Sequence, residues 1–530
     1  NLGSDGSMVK LGSDGSMVKL GSDGSMVKLE SQGSMVKLES QGSMVKLESQ
    51  GSMVKLDYSA NNLVALEINE STASLLRGSP QILSVELDEK RQLLSIDDNR
   101  ASDLSITQVT PYAVSQSQAD QLQLQPGIKV CVIDSGLDNA NPDFDYSMIT
   151  GSGWWGIDRD SHGTHLAGII AAMDNGIGVK GIAPSISMHI VKVFDAAGWA
   201  YSSDLTAAID ECSDAGANIL SMSFGGKRVS PIEKIAIERF VSQGGLAIAA
   251  AGNEGGNARY YPAGYRAVMM VGANDADKQV ASFSQHPHCT PDVFDRGENC
   301  VEVTAAGVDY FSTLPTLASL SLAGAEYKAG YSAQSFVDGE ALRTLSISKS
   351  GEDFIQGATY FIDGSQPIDE QTYAQADGRI CVIDRKKLGV SQMIRQCQNN
   401  GALAAVVINN EPGLFDASLN NDYDITIAVV TAKLEDRATW INASNATITI
   451  ANSPYGIKSG TSMAAPVVAA VAALVWSNFP HCKAAEIRKV LRFTAADIGP
   501  QGKDNASGYG SVRAKNAYDH IDKNGCAVTN

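Results

Sequence analysis

GIKVCVID, Gly127 to Asp134, is the stretch that sets the fold. From Val130 to Ile133 it is unbroken apolar, and it ends in a carboxylate. A short apolar run of this kind reads as a strand buried on both faces. Outward from it the period changes. HGTHLAGIIAAM reads as a helix, SMHIVKVF as a strand, SSDLTAAIDECSDAG as a helix and ANILSMSF as a strand. PIEKIAIERFVSQG is again helical, and LAIAAAG and AVMMVGA are strands. Strands alternating with helices at this spacing give an α/β fold, a doubly wound, mainly parallel sheet with helices on both faces. The rhythm breaks after about Thr313. It resumes with SGTSMAAP, Ser459 to Pro466, and the helical KAAEIRKVLRFTA. Residues 316–452 therefore read as an insertion between two parts of one domain, 104–315 and 453–530.

SGTSMAAP raises a chemical question. From Ser462 the chain runs SMAAPVVAAVAALVWSN, an alanine-rich apolar stretch that reads as a buried helix. A serine in the first turn of such a helix sits among unpaired N–H groups at the positive end of the dipole. That suits a cap. It also suits a nucleophile whose attack creates an oxyanion. In open α/β sheets, sites form at the C-terminal strand ends. Asp134 closes one strand, His162 opens the helix HGTHLAG, Asn253 follows the strand LAIAAAG, and Ser462 opens its own helix. Singly, each reads as a turn or cap residue. Together they are the parts for acyl transfer: a hydroxyl to attack, an imidazole to carry the proton, a carboxylate to orient it and an amide to hold the oxyanion. The HGTH pair lacks the carboxylate at the spacing that zinc proteases need.

The remaining composition narrows the class. The chain has 530 residues with 44% hydrophobic and 19% charged, as in ordinary folded domains. A net charge of -18 disfavours nucleic acid and anionic membrane as partners. No run reads as a membrane span, since the helix from Ser462 is too alanine-rich. No secretory leader pattern opens the sequence. The eight cysteines contain no C-x-x-C pair, so they lean toward disulfides and an oxidising compartment. Cys289 with Cys300, Cys381 with Cys397 and Cys482 with Cys526 each bracket one local unit. Cys131 and Cys212 read equally well as buried thiols or a fourth bond. Residues 2–55 are six nonapeptides, LGSDGSMVK three times and then LESQGSMVK three times. Each has only Leu, Met and Val to bury, so residues 1–56 are expected to be disordered or to form weak hairpins.

IDSGLD, SHGTHLAG, SMSFGG, AAAGNEG and GTSMAAP, in this order, resemble the signature blocks of subtilisin-like serine proteases. The resemblance covers roughly residues 104–315 and 453–526. It implies a subtilisin-like fold and a serine endopeptidase that acts through Asp134, His162 and Ser462. Asn253 and the Ser462 N–H would be the oxyanion donors, and His165 a packing residue. It implies polypeptide substrates, with Ser221 to Gly226 pairing with an extended peptide as an edge strand. Ala250, Ala251 and Gly252 would line one wall of the main specificity pocket, with Ser223, Phe224 and Gly225 opposite. Glu254 would stand at the mouth, attracting basic side chains, and Tyr260 would shorten the pocket. A structural calcium ion is implied as cofactor, held by Gln108, Asp143 and Asn175 side chains and the carbonyls of Met173, Ile177 and Val179.

The flanking pieces resemble the same family's accessories. Residues 57–103 look like the C-terminal half of an α+β propeptide and a linker, with processing expected between 98 and 107. Such a propeptide would act as the chain's own inhibitor. The insertion, through GRICVIDRKKLGVSQMIRQCQNNGALAAVVINN, resembles an α/β protease-associated (PA) domain. The implied whole is a secreted, self-processing zymogen. Two other readings remain from sequence: a catalytically silent relative that binds protein, and an exopeptidase on the same scaffold.

Overall fold

The structure is a computed structural model. It describes residues 82–94, 108–195, 198–289, 299–316, 331–346, 353–363, 370–385, 390–410, 425–452 and 454–528. Short segments at 8–10, 17–19, 34–38, 54–58, 63–66, 73–74, 77 and 96–100 are also described.

Seven parallel strands make the central sheet. In chain order they are β2 (Lys129–Asp134), β3 (Ile149–Ser152), β4 (Ser187–Lys192), β6 (Ile219–Met222), β8 (Leu246–Ala250), β9 (Val268–Asn274) and β10 (Val301–Ala306). Their spatial order is β3-β4-β2-β6-β8-β9-β10. After β2 the chain crosses to one side to form β3 and β4. It then returns and builds outward on the other side from β6. The order therefore reverses at β2 and β6, and the crevice at their C-terminal ends is where such sheets bind ligands.

Successive β2 residues feed opposite faces. Val130 and Val132 join the core beneath α1 (His162–Ala171) and the long helix α4 (Thr461–Asn478). Cys131 and Ile133 join the core beneath α2 (Ser202–Asp214) and α3 (Pro231–Ser242). The sheet thus carries helices on both faces, as expected. α4 is long and apolar enough to pass for a membrane span by length and composition, but 94% of it is buried in this core.

The insertion leaves and returns at one point. β11 (Tyr310–Thr313) pairs antiparallel with β12 (Tyr455–Ser459), and Thr313 faces Tyr455. The excursion between them costs the sheet nothing, because its two ends are already hydrogen-bonded neighbours. It forms a closed barrel of seven strands between Tyr331 and Asn452. Four disulfides are present. Three are the locally bracketed pairs, and the fourth joins Cys131 of β2 to Cys212 of α2.

The N-terminal segment departs from expectation in one respect. The strand Ser34–Leu38, inside the repeats, lies between Leu63–Leu66 and Ile82–Glu86 in a four-stranded antiparallel sheet. A repeat unit poor in apolar residues gains order by completing a sheet that its neighbours begin. Met8–Lys10 and Met17–Lys19 pair as a hairpin. Of the linker at 98–107, residues 98–100 belong to the strand Ile96–Arg100, and 101–107 lie outside the described residues.

Candidate active site

Asp134, the last residue of β2, is wholly buried. Its carboxylate accepts from His162 Nδ1 at 2.8 and 3.0 Å and from the Ser135 N–H at 2.8 Å. Burial disfavours the charged imidazole, but the Asp134 carboxylate outweighs it and holds the His162 pKa above its ordinary 6.5. Asp158, which the sequence motifs do not flag, fixes the start of α1. Its carboxylate accepts from the N–H groups of Asp160, Ser161 and Thr164, the Thr164 hydroxyl and the Ser135 hydroxyl. An anion at a helix N-terminus satisfies the orphan donors and favours the dipole. His165, one turn on, is buried. Its Nε2 faces the carbonyls of Tyr310 and Gly456, and burial lowers its pKa well below the ordinary value, as befits a neutral packing residue.

Ser462 opens α4 after Gly460, whose φ of +151° is open only to glycine. Pro466 has no N–H, so the Ser462 carbonyl loses its helical partner. The Ser223 hydroxyl donates to that carbonyl at 2.9 Å. SMAAP thus ties the serine turn to the strand beside it. The Ser462 hydroxyl donates to the Ser223 carbonyl at 3.2 Å, and His162 Nε2 has no hydrogen-bond partner. Asn253 is oriented by Thr461, whose N–H and hydroxyl donate to its Oδ1 at 2.9 and 2.8 Å. Its amide nitrogen points the other way.

What it points at is the chain's own tail. β1 (Lys90–Leu93) lies antiparallel between β5 (Trp199–Tyr201) and β7 (Phe224–Gly225). Leu94 follows, its N–H donating to the Ser223 carbonyl at 3.0 Å and its carbonyl accepting from Asn253 Nδ2 at 2.8 Å. Leu94 N–H and Ser462 Oγ therefore converge on one carbonyl. The Ser462 N–H, expected as a second donor, makes no hydrogen bond to Leu94. Beyond Ser95 the strand Ile96–Arg100 runs along β12, with Ile96 opposite Ser459. Two carboxylates dock the tail. Asp88 accepts from the Ser203 N–H and the Ser202 and Ser203 hydroxyls at the start of α2. Glu86 accepts from the Ser230 hydroxyl and the Ile232 N–H at the start of α3.

The peptide-pairing edge is shorter than expected. Ser221 lies in β6, hydrogen-bonded between β2 and β8 opposite Val132 and Ile248, so no edge is open there. Pairing begins at Ser223 and continues through Phe224 and Gly225. Leu94 shares an apolar cluster with Ala250 and Tyr260. A β-carbon on Gly225 would come within 3.1 Å of Leu94 Cδ1 and 3.2 Å of Tyr260 Cδ1, so both side chains rest over this glycine. Gly252 also abuts the Tyr260 ring, and Ala251 lies in the core on the other face. Glu254 is already engaged by the Tyr260 hydroxyl and by Lys227 at 2.9 Å, which weakens its pull on a basic side chain.

The six expected calcium residues gather at one loop. Val109 bridges to Val179 and so brings Gln108 to the 173–179 turn, where its side chain meets the Met173 carbonyl at 2.7 Å. Asn175 Nδ2 and the Val179 N–H both donate to Asp143, and Asn175 Oδ1 accepts from the Ile177 N–H. Asp143 is fully buried, and burial raises its pKa. A buried carboxylate amid neutral side-chain amides and carbonyls is a donor set that fits a hard cation.

Comparison with known proteins agrees with this architecture. The subtilase family description matches residues 125–335 and 398–510, over half of the chain, and the PA domain description matches 347–440. Subtilisin E of Bacillus subtilis (strain 168) is 34% identical over 266 residues, which cover 48% of this chain and 64% of that protein. The subtilisin of Bacillus pumilus is 37% identical over 220 residues, covering 39% of this chain and 76% of its own length. The crystal structure of the psychrophilic subtilisin-like protease Apa1, from the Antarctic psychrotroph Pseudoalteromonas sp. AS-11, superposes with a TM-score of 0.58 at 31% identity. It matches 80% of this chain and all of that one. The chain belongs to the subtilase family, with a PA domain set into its subtilisin-like fold.

Proposed function

We propose that this chain is a serine endopeptidase whose first substrate is its own Leu94–Ser95 bond, ahead of the 98–107 stretch where the sequence led processing to be expected. The observation that carries the reading is Leu94 itself. An extended peptide lies in the site with its carbonyl on the Asn253 amide, beside the Ser462 hydroxyl. Rotation about the Ser462 Cα–Cβ bond would turn its hydroxyl from the Ser223 carbonyl to the open His162 Nε2. His162 then takes the proton as Oγ bonds to the Leu94 carbonyl carbon, and the oxyanion stays on Asn253 Nδ2. His162 returns the proton to the Ser95 nitrogen as the C–N bond breaks. Water, deprotonated by the same imidazole, hydrolyses the Leu94 ester. Chain passing through the site on both sides of Leu94 supports internal rather than terminal cleavage.

One observation favours the second reading, a site that grips peptide without cutting it. Ser462 is turned toward Ser223, not His162. Catalytic hydrogen bonds are often loose before the reactive complex forms, so the rotamer alone does not decide. Replacing Asn253 with leucine tests the difference. The hydrolytic reading expects kcat to fall about 10²- to 10³-fold, the scale seen for the asparagine donor of subtilisin, a relative of this chain. No peptide hydrolysis by a native chain freed of its tail would favour the silent reading, and a change under about threefold in an active chain would remove Asn253 from the oxyanion role.

The same proposal includes a zymogen, made in an oxidising compartment outside the cell. Its support is the pairing of all eight cysteines and the tail that fills the groove. It also includes calcium at Gln108, Asp143, Asn175 and the carbonyls of Met173, Ile177 and Val179, where it would be structural. Free calcium at about 100 times its Kd would add about 2.7 kcal/mol of stability. Chelation is therefore expected to lower the Tm by several degrees in calorimetry, and Asp143→Asn to abolish that dependence on calcium.

A further inference from the structure

The tail carries a second recognition element, three residues before Leu94. Arg91 is fully buried, as is Glu233 of α3 at 1% exposure. The guanidinium holds the carboxylate through two bonds, Nε to Oε1 at 3.1 Å and Nη2 to Oε2 at 2.8 Å. Nη2 also donates to the Arg228 carbonyl at 3.1 Å. This is the planar fork that distinguishes arginine from lysine.

The helix that supplies Glu233 is built to spare it. Ser230-Pro-Ile-Glu233 has the sequence of a capping box, in which the glutamate turns back onto the N-cap N–H. Here only half the box forms. The Glu233 N–H donates to the Ser230 hydroxyl, but the Ser230 N–H is taken by the Tyr265 hydroxyl at 2.9 Å. The one Tyr265 hydroxyl hydrogen lies within reach of Glu233 Oε2 at 2.9 Å and of the Ser230 carbonyl at 3.0 Å. The carboxylate is thereby freed from capping and aimed into the groove. Once the tail leaves, Tyr265 is the one protein donor to it among the described residues. A buried carboxylate so poorly matched wants a cation.

We infer that Glu233, positioned by Tyr265, forms an acidic subsite that selects arginine at the fourth residue before the cleaved bond. The favoured substrates are peptides of the form Arg-x-x-Leu. The inference rests on the reading of the groove as one that holds an extended peptide ending at Leu94. A weaker preference for a base one residue earlier follows from Lys90, whose ammonium lies 6.0 Å from the Trp199 ring and 5.6 Å from the Tyr201 ring.

The test uses the full chain carrying Arg91→Ala, which loosens the tail's own hold on Glu233. It is offered acetyl-X-Gln-Leu-Leu joined to a fluorogenic amine, with X as Arg, Lys, Leu or Ala. A site for an added protease, placed within residues 101–107, lets the tail be cut and washed from the Ser462→Ala, Arg91→Ala chain, and the four peptides as free acids are then titrated into it by anisotropy. The arginine peptide is expected to exceed the alanine peptide about 100-fold in kcat/KM and to lead in affinity, with lysine between them. Glu233→Gln is expected to bring the Arg-to-Ala ratio to within about threefold of one. Equal treatment of the four peptides in hydrolysis and binding overturns the inference, and this series needs no variant at Glu233 that could misfold. Preferred binding of the arginine peptide with no hydrolysis of any would leave the subsite standing and strike down the peptidase reading.

Discussion

Replacing Ser462 with alanine is expected to lower kcat on peptide substrates by about 10⁶-fold, the scale of the same loss in subtilisin, its relative. The Leu94–Ser95 bond is expected to stay intact. The Ser462 hydroxyl meets the Leu94 N–H on the Ser223 carbonyl, and it is the nucleophile assigned to the Leu94 carbonyl carbon. His162 and Asn253 would remain in place, because Asp134 and Thr461 hold them independently of Ser462 Oγ. The site should therefore still hold peptide, in this variant the chain's own uncut tail. Steady-state kinetics checks the first point and intact mass the second. A variant with native activity, or one that still cuts itself at Leu94, would contradict the assignment.

Asp134→Asn is expected to cost about 10⁴-fold in kcat, because asparagine offers an N–H where the imidazole needs an acceptor and so favours the wrong tautomer. The pH profile carries a second signature. His162 works as a base only when neutral, and Asp134 holds its pKa above 6.5. The acid limb of kcat/KM in the native chain is therefore expected above pH 6.5, with activity falling as the imidazole becomes charged. In the Asp134→Asn chain the larger raising charge is gone, and burial, the strongest influence, outweighs the smaller pull of Asp160, so the limb should move down. A limb that does not move would mean that His162 is not the titrating base.

The parts that sequence makes legible are those with a local signature. β2 announces itself by its apolar run, Ser462 by the long helix behind it, and His162 and Asn253 by their places at element ends. The insertion is legible because it interrupts a strict β/α rhythm, and three disulfides because each closes a short unit. What was hidden is long-range. Nothing in RQLLS marks Leu94 as the residue that meets Asn253, since neither periodicity nor turn chemistry records a contact between segments so far apart. Ser221 looks like part of an open edge because an apolar strand reads the same whether it has one neighbour or two. Nothing in Ser230-Pro-Ile-Glu233 marks Glu233 as a partner for Arg91, and Tyr265, over thirty positions on, takes the cap's N–H and leaves the carboxylate to the tail. Cys131 and Cys212 carry no spacing rule, and their bond follows from the packing of α2 on β2. The strand at Ser34–Leu38 depends on partners at 63–66 and 82–86 that a repeat considered alone does not have.

Ser462 is, on this reading, a nucleophile held beneath the chain's own tail until the Leu94–Ser95 bond is cut. The most direct measurement is intact mass after exposure to a labelled fluorophosphonate, with Ser462→Ala alongside. Label is expected on Ser462 in chains that begin at Ser95, little in chains that retain the tail, and none in the variant. Chains that have shed residues 1–94 and still take no label would contradict it.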